Sequence, residues 1–411
     1  MTPDPFLRDA RRTYADANAG TLRWMLARPP LGGSFLNTKV HSVTLADYTS
    51  ADGSRSPDCT YGWIQGRGLE SLATHANFFD AEDAALAASL DAAAGKLHTV
   101  LDQLQARDGH AYFCYDRNLA TVYPDASGAI QPHHPAPGIY SYADIFVAKG
   151  LLAADHRLGR TEHQQRHLDF FDTVVAAIED SRFQINERVP LSHAEVARQP
   201  DDFGPRMILL AGGGLLRRTG HADHAAYCDR FIAHVLERHL DARSGLLRNV
   251  PGLDPCNVGH GIEFVGFALD HLPQDADAAL VRTLENILIA SFRAGYAGPG
   301  IALSISADTG QVLNPLCPWW SLPETIRSAA LCYARTGNPE ALAVWKEAHG
   351  AFFTRYWRGE PALAYQTMNQ DGPIDFVPAT PDLDPGYHTG LSLLAAIEVA
   401  DALVANDKIR S

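Results

Sequence analysis

The chain has 411 residues and a formal net charge of −14, with 34 Lys and Arg against 48 Asp and Glu. At 46% hydrophobic and 20% charged residues it has the composition of a soluble globular protein and is too apolar for a disordered one. The acidic balance repels a polyanion, so neither nucleic acid nor an anionic membrane surface is expected as a partner.

The first twelve residues are polar, contain Pro and Arg, and lack an apolar segment. No secretory signal is therefore expected, and cytoplasm is the default location. No run approaches the roughly 20 apolar residues of a membrane span, so none is expected. A first helix is expected near 4–14. Apolar residues then recur at helical spacing over 83–105, 142–159, 162–178, 205–218, 223–240, 261–272, 276–292, 323–336, 339–356 and 389–404. The alanine-rich run 84–97 is almost pure helix former. Gly159, Gly220 and Gly337 fall between paired helices, where C-caps belong. Between pairs, 111–116, 245–250, 301–306 and 362–367 alternate and read as short hairpins or irregular loops. No linker, charge block or low-complexity tract divides the chain, so a single domain over 1–411 is the simpler reading.

The six cysteines, Cys59, Cys114, Cys228, Cys256, Cys317 and Cys332, are scattered and form no C-x-x-C pair. All six are expected as reduced, mostly buried thiols, with no zinc cluster among them.

Helices follow the connecting segments near Tyr61, Tyr140, Pro205, His260, Trp319 and His388, at intervals of 79, 65, 55, 59 and 69 residues. Each interval accommodates a helix, a turn, a second helix and a returning loop. Six such pairs predict an all-α (α/α)6 barrel with short β-hairpins in the loops; a less regular helical solenoid is the alternative. The reactive side chains concentrate at these starts: Trp63, Gln65 and Arg67; Tyr142 and Asp144; Arg206; His260 and Glu263; Trp319, Trp320 and Glu324; and His388. If the inner helices run parallel, these residues converge on one mouth. Aromatics for a sugar face, carboxylates for hydroxyls and two histidines for proton transfer suit a carbohydrate pocket.

Four segments, in order, resemble one family. Tyr61-Gly-Trp-Ile-Gln-Gly-Arg67, Asn257-Val-Gly-His-Gly-Ile-Glu263, Pro318-Trp-Trp-Ser-Leu-Pro-Glu-Thr-Ile-Arg327 and Gly386-Tyr-His388 are similar to segments of the N-acylglucosamine 2-epimerases, also called renin-binding proteins. The resemblance implies epimerisation or isomerisation of a ring-opened sugar at C2, without a metal or redox cofactor. By position, His260 and His388 would be the acid/base pair. Arg67 would hold the carbonyl or enediolate oxygen, Glu263 would orient His260 or help open the ring, Glu324 would bind hydroxyls, and Trp319 or Trp320 would stack on the sugar. Relatives often pair as dimers, so a homodimer is the assembly the resemblance suggests.

The chain also departs from the family pattern. Val258 stands where a Pro is usual, and Ser321-Leu separates the tryptophans from Pro323. The basic residues that flank the last histidine in the family are missing, and Arg206 replaces a hydrophobe. These departures put the usual substrate, rather than the chemistry, in question.

Simpler roles suit other residues. Most of the 18 histidines, including His221, His224, His234 and His239, read as structural. His133 and His134 lack carboxylate or Cys partners for a metal. Gly212, Gly213 and Gly214 lack the Lys-Ser/Thr of a phosphate loop and read as helix packing. Two other functions remain open: a glycoside hydrolase using Asp144 and Glu324, and a non-catalytic sugar-binding relative.

Overall fold

The first helix, α1 (Pro5–Leu26), is twice as long as its periodicity predicts. The computed structural model describes residues 4–410. These fall into two compact units, one of residues 22–200 with 377–387, the other of residues up to 21 with 201–376 and 388 onward.

In the first unit, α2 (Gly62–Glu82) and α3 (Ala84–Asp108) form one antiparallel pair, and α4 (Tyr142–Leu158) and α5 (Thr161–Glu179) the next. Asp83 caps α3 by accepting from the Leu86 N–H at 3.0 Å. Gly159, at φ +65°, ends α4 in the left-handed region where a glycine carries no steric penalty. α2 and α4 touch backbone to backbone, because a Cβ on Gly66 would lie 2.6 Å from the Phe146 carbonyl carbon and one on Gly150 would lie 2.5 Å from the Gly66 oxygen. A short helix, α6 (His193–Arg198), is capped by Ser192 and has no periodicity to announce it.

Four strands, β1 (Cys59–Tyr61), β2 (Cys114–Asp116), β3 (Thr121–Pro124) and β4 (Ile130–Pro132), pair in that order. Here the cysteine expectation is corrected: Cys59 and Cys114 form a disulfide. Antiparallel register sets Tyr61 opposite Cys114, and Cys59, two residues from Tyr61, shares its face. The Cα atoms come to 6.4 Å, inside a small core with Ile64, Phe113 and Val122. Cys228, Cys256, Cys317 and Cys332 remain buried free thiols.

The second unit contains α7 (Gly204–Arg218), α8 (Tyr227–His239), α9 (Val258–His271), α10 (Ala278–Gly295), α11 (Ser321–Thr336), α12 (Pro339–Ala351) and α13 (Ser392–Arg410). Gly213 has no room for a side chain, since its Cβ would lie 2.5 Å from Cys228 Sγ on α8 and 2.9 Å from the His271 ring on α9. Close helix contact is thus what this glycine run does. The start of α1 seals α12, where the Trp345 indole donates to Tyr14 Oη at 2.9 Å in a fully buried contact. Tyr387–Leu391 winds as one π-turn into α13. The helix Tyr387–Ala405 is long and apolar enough, by length and composition, to cross a membrane, with mean hydropathy 1.4, which corrects the expectation that no such stretch exists. More than half of it is buried inside the protein, as in a core helix.

Candidate active site

Asn257 begins the site of the second unit. It caps α9 by accepting from the His260 N–H at 3.3 Å, and its own N–H donates to Asn249 Oδ1 at 2.6 Å. The other end of the Asn249 amide lies 3.5 Å from His260 Nδ1. His260 is therefore placed by the cap of its own helix and by a side chain eleven residues earlier. Trp320, at the start of α11, lies over Gly259, where a Cβ would come within 2.6 Å of the indole. The Gly of the Asn-x-Gly-His segment thus makes room for the Trp of the next segment.

The two histidines meet on that indole. His260 lies 5.5 Å and His388 5.8 Å from the Trp320 ring centre, and Trp319 stands edge-on to His388 at 6.1 Å. His388 Nδ1 is 3.0 Å from Glu324 Oε1 and 3.6 Å from Glu263 Oε1. A carboxylate only accepts, so this nitrogen donates to Glu324 and the ring is fixed. Glu324 turns its other oxygen to Arg327 at 3.0 Å. Burial opposes the charge on Glu324, but the Arg327 guanidinium and the hydrogen bond from His388 outweigh it and hold the carboxyl below its ordinary range. His260 is half-buried as a residue yet sits deep among protein atoms. Burial first, and then the charge of His388, lowers its pKa to about 4.

Arg206 faces a different set: its guanidinium is 3.3 Å from Asp201 and lies over the Phe231 ring at 5.8 Å.

In the first unit, Trp63 and Arg67 share the opening turns of α2. The Arg67 guanidinium lies among aromatic rings, 4.1 Å from the centre of Phe146, 5.0 Å from Trp63 and 5.2 Å from Tyr387. Trp63 stacks on Tyr142 at 5.5 Å and on Phe146 at 5.4 Å. The buried Lys149 Nζ lies 2.5 Å from Tyr387 Oη and 3.1 Å from Glu70. Asp144 is fully buried and accepts from the Ala111 N–H and the Ser141 N–H, each at 2.8 Å, the latter as the capping box of α4. Its oxygens serve the backbone. The indole N–H groups of Trp63 and Trp319 are buried and have no protein acceptor among the described residues.

Four residues here escaped the sequence reading. Asn249 closes an irregular hairpin with no periodicity to single it out. Arg327 stands one turn after Glu324 on the same helix face, a spacing that could have revealed it. Lys149 lies within an apolar helical run. Glu187 lies in a loop, accepts from the Ala143 N–H at 3.1 Å, and burial raises its pKa to about 8.

No family model matches the chain, and no curated protein matches it. Solved structures do. The cellobiose 2-epimerase of Spirochaeta thermophila DSM 6192 is similar over 98% of this chain and 100% of its own, at 14% identity and TM-score 0.71. The cellobiose 2-epimerase of Bacillus thermoamylovorans B4167 is similar over 94% and 99%, at 16% identity and TM-score 0.68. A D-mannose isomerase is similar over 98% and 100%, at 12% identity and TM-score 0.66. The chain has the fold of the sugar epimerases and isomerases. It is all-α, of the (α/α)6-barrel class, with the short strands in its loops that the six repeats predict.

Proposed function

We propose that the protein is a sugar 2-epimerase or aldose–ketose isomerase that moves a proton at C2 of a ring-opened aldose between His260 and His388. The observation that carries this reading is the pair of imidazoles against one indole, with unlike settings. His260 is held neutral, as a base must be. His388 is held by the ionised Glu324 with its charge against His260. Two like groups in such unlike surroundings are suited to opposite roles.

In this reading the bond from C2 to hydrogen breaks, the proton passes to His260, and the electron pair forms the C1–C2 double bond of an enediolate with negative charge on O1. For an epimer, His388 then delivers a proton to the opposite face of C2 as the aldehyde at C1 re-forms. For a ketose, the O2 hydroxyl proton passes to O1, the charge moves to O2, and a proton is delivered to C1 as the C2–O2 carbonyl forms; proton exchange with solvent resets the pair. A positioned acid or base contributes roughly 10²–10⁴ in rate, so the charge on O1 needs stabilising as well. The resemblance of its segment assigns that work to Arg67. The unpartnered indole N–H of Trp319 is a donor for a sugar hydroxyl. A sugar substrate also fits the solved neighbours, whose names are those of sugar epimerases and an isomerase.

The hydrolase alternative asks Asp144 and Glu324 to serve as acid and base. Asp144 is occupied by two backbone N–H groups, and Glu324 by His388 and Arg327. The isomerase reading is the better supported. The test is a panel of free aldoses, cellobiose included, incubated with the protein in deuterated water and followed by NMR at the C1 and C2 protons. Exchange at C2 of one sugar, abolished in His260→Ala, is expected. Full exchange in both His260→Ala and His388→Ala, or release of free sugar from an oligosaccharide without C2 exchange, overturns the proposal.

A further inference from the structure

A second group of reactive side chains lies where α3, α4 and α5 pack together, and the proposed reaction uses none of it. His98 and Asp102 are four residues apart on α3, and His163 and His167 four apart on α5, so each pair shares one helix face. Asp155 comes from the last turn of α4. Asp155 Oδ1 is 2.7 Å from His98 Nε2, and its Oδ2 is 2.5 Å from His167 Nδ1. His167 Nε2 is 3.0 Å from Asp102 Oδ1, and His163 Nδ1 lies 3.6 Å from the same oxygen. The three imidazole centres form a near-equilateral triangle with sides of 5.6, 5.8 and 5.9 Å.

The side chains of His98, Asp155 and His167 are at most 3% exposed, whereas His163 is 30% exposed and faces outward. Arg166 pairs with Asp102. No Lys or Arg pairs with Asp155 among the ion pairs of the described residues, so its buried negative charge has only the imidazoles beside it. Such a charge is costly unless a cation joins it. One ligand atom from each of His98, Asp155 and His167 lies within 4.8 Å of the other two.

We propose that His98, Asp155 and His167 bind a divalent transition-metal ion of the zinc type, with a fourth position open to water or His163, which pins α3, α4 and α5 together. Imidazole and carboxylate are the donors zinc takes, and i, i+4 placement on facing helices delivers them from rigid backbone. Tetrahedral ligands at zinc distances stand about 3.3 Å apart. The present 2.5 and 2.7 Å contacts must therefore open by less than about 1 Å as the ion replaces the protons they share.

The test uses the full-length protein, dialysed against a chelator and then equilibrated with Zn²⁺ or Co²⁺. The wild type is expected to retain one equivalent, to unfold at higher temperature with Zn²⁺ than without, and to give the visible absorption of tetrahedral Co²⁺. Histidine side-chain NMR should show His98 and His167 shifting on Zn²⁺ addition. His98→Gln and His167→Gln should each weaken binding at least tenfold and lose the thermal shift, while His234→Gln, in a separate Asp/His group, keeps both. No retained equivalent in the wild type overturns the proposal without recourse to any variant. So does retention by both His98→Gln and His167→Gln, or movement of other histidine signals alone.

Discussion

Glu324 Oε1 and His388 Nδ1, 64 residues apart in the chain, meet at 3.0 Å inside the protein, and the other oxygen of Glu324 meets Arg327 at the same distance. The carboxylate thus fixes the ring and is itself fixed. Glu324→Gln keeps the shape and removes the charge. It is expected to lower kcat by roughly 10² or more with a small change in KM, since the loss falls on the proton-transfer step. Steady-state kinetics on the sugar found by the exchange panel reads this. A variant with KM raised and kcat intact would make Glu324 a substrate-binding group only.

The charge of His388 also acts on His260. Removing it in His388→Gln should move the His260 titration up from about 4 towards 6.5, leaving burial as the remaining cause of its depression. Histidine side-chain NMR follows this whether or not the variant is active, and an unmoved titration counts against the coupling. The sign for stability follows from linkage. The folded pKa of His260 lies below its unfolded value, so as pH falls the unfolded chain takes up the proton first. Stability from this group is full above about 6.5 and is lost progressively between 6.5 and 4.

Gly259→Ala places a methyl group 2.6 Å from the Trp320 indole. The indole must move, and with it the surface shared by both histidines. A cost of about 1–3 kcal/mol is expected from overpacking, together with a change in near-ultraviolet circular dichroism and a fall in kcat. Thermal unfolding beside the spectrum separates a local shift from global loss. An unchanged aromatic spectrum would contradict the packing described.

The Cys59–Cys114 bond predicts four reactive thiols in the denatured protein without reductant and six with it. It closes a loop of 55 residues, which in the chain-entropy picture stabilises the fold by about 4 kcal/mol. Cys59→Ser should therefore lower the unfolding midpoint in denaturant, while reductant should leave that variant's midpoint unchanged. Six thiols without reductant would restore the expectation made from sequence.

The helices were readable because their causes are local. Gly159 and Gly337 stop helices where glycine past an amphipathic run predicts it, and the predicted boundaries of α4, α5 and α7 fall within one residue of those found. The segments that carry His260, Glu324 and His388 stand out in the sequence because each opens or precedes a helix, and the fold brings these side chains together around Trp320. What stayed hidden is set by register and by distant packing. Cys59 finds Cys114 through a strand pairing whose alignment the spacing of 55 residues does not reveal. Asp144 reads as a pocket carboxylate until its oxygens prove to be occupied by backbone N–H groups. His98, His163 and His167 pass for structural histidines because the aspartate between them comes from a third helix.

The π-turn at Tyr387–Leu391 holds one residue more than an α-helical path would need. Deleting Gly390 would let α13 extend backwards as regular helix and swing His388 by about 100° around the axis, away from Glu324. The His388 imidazole therefore owes its bearing to a surplus residue in the winding, and alignments that count positions along an unbroken helix would misplace it by one.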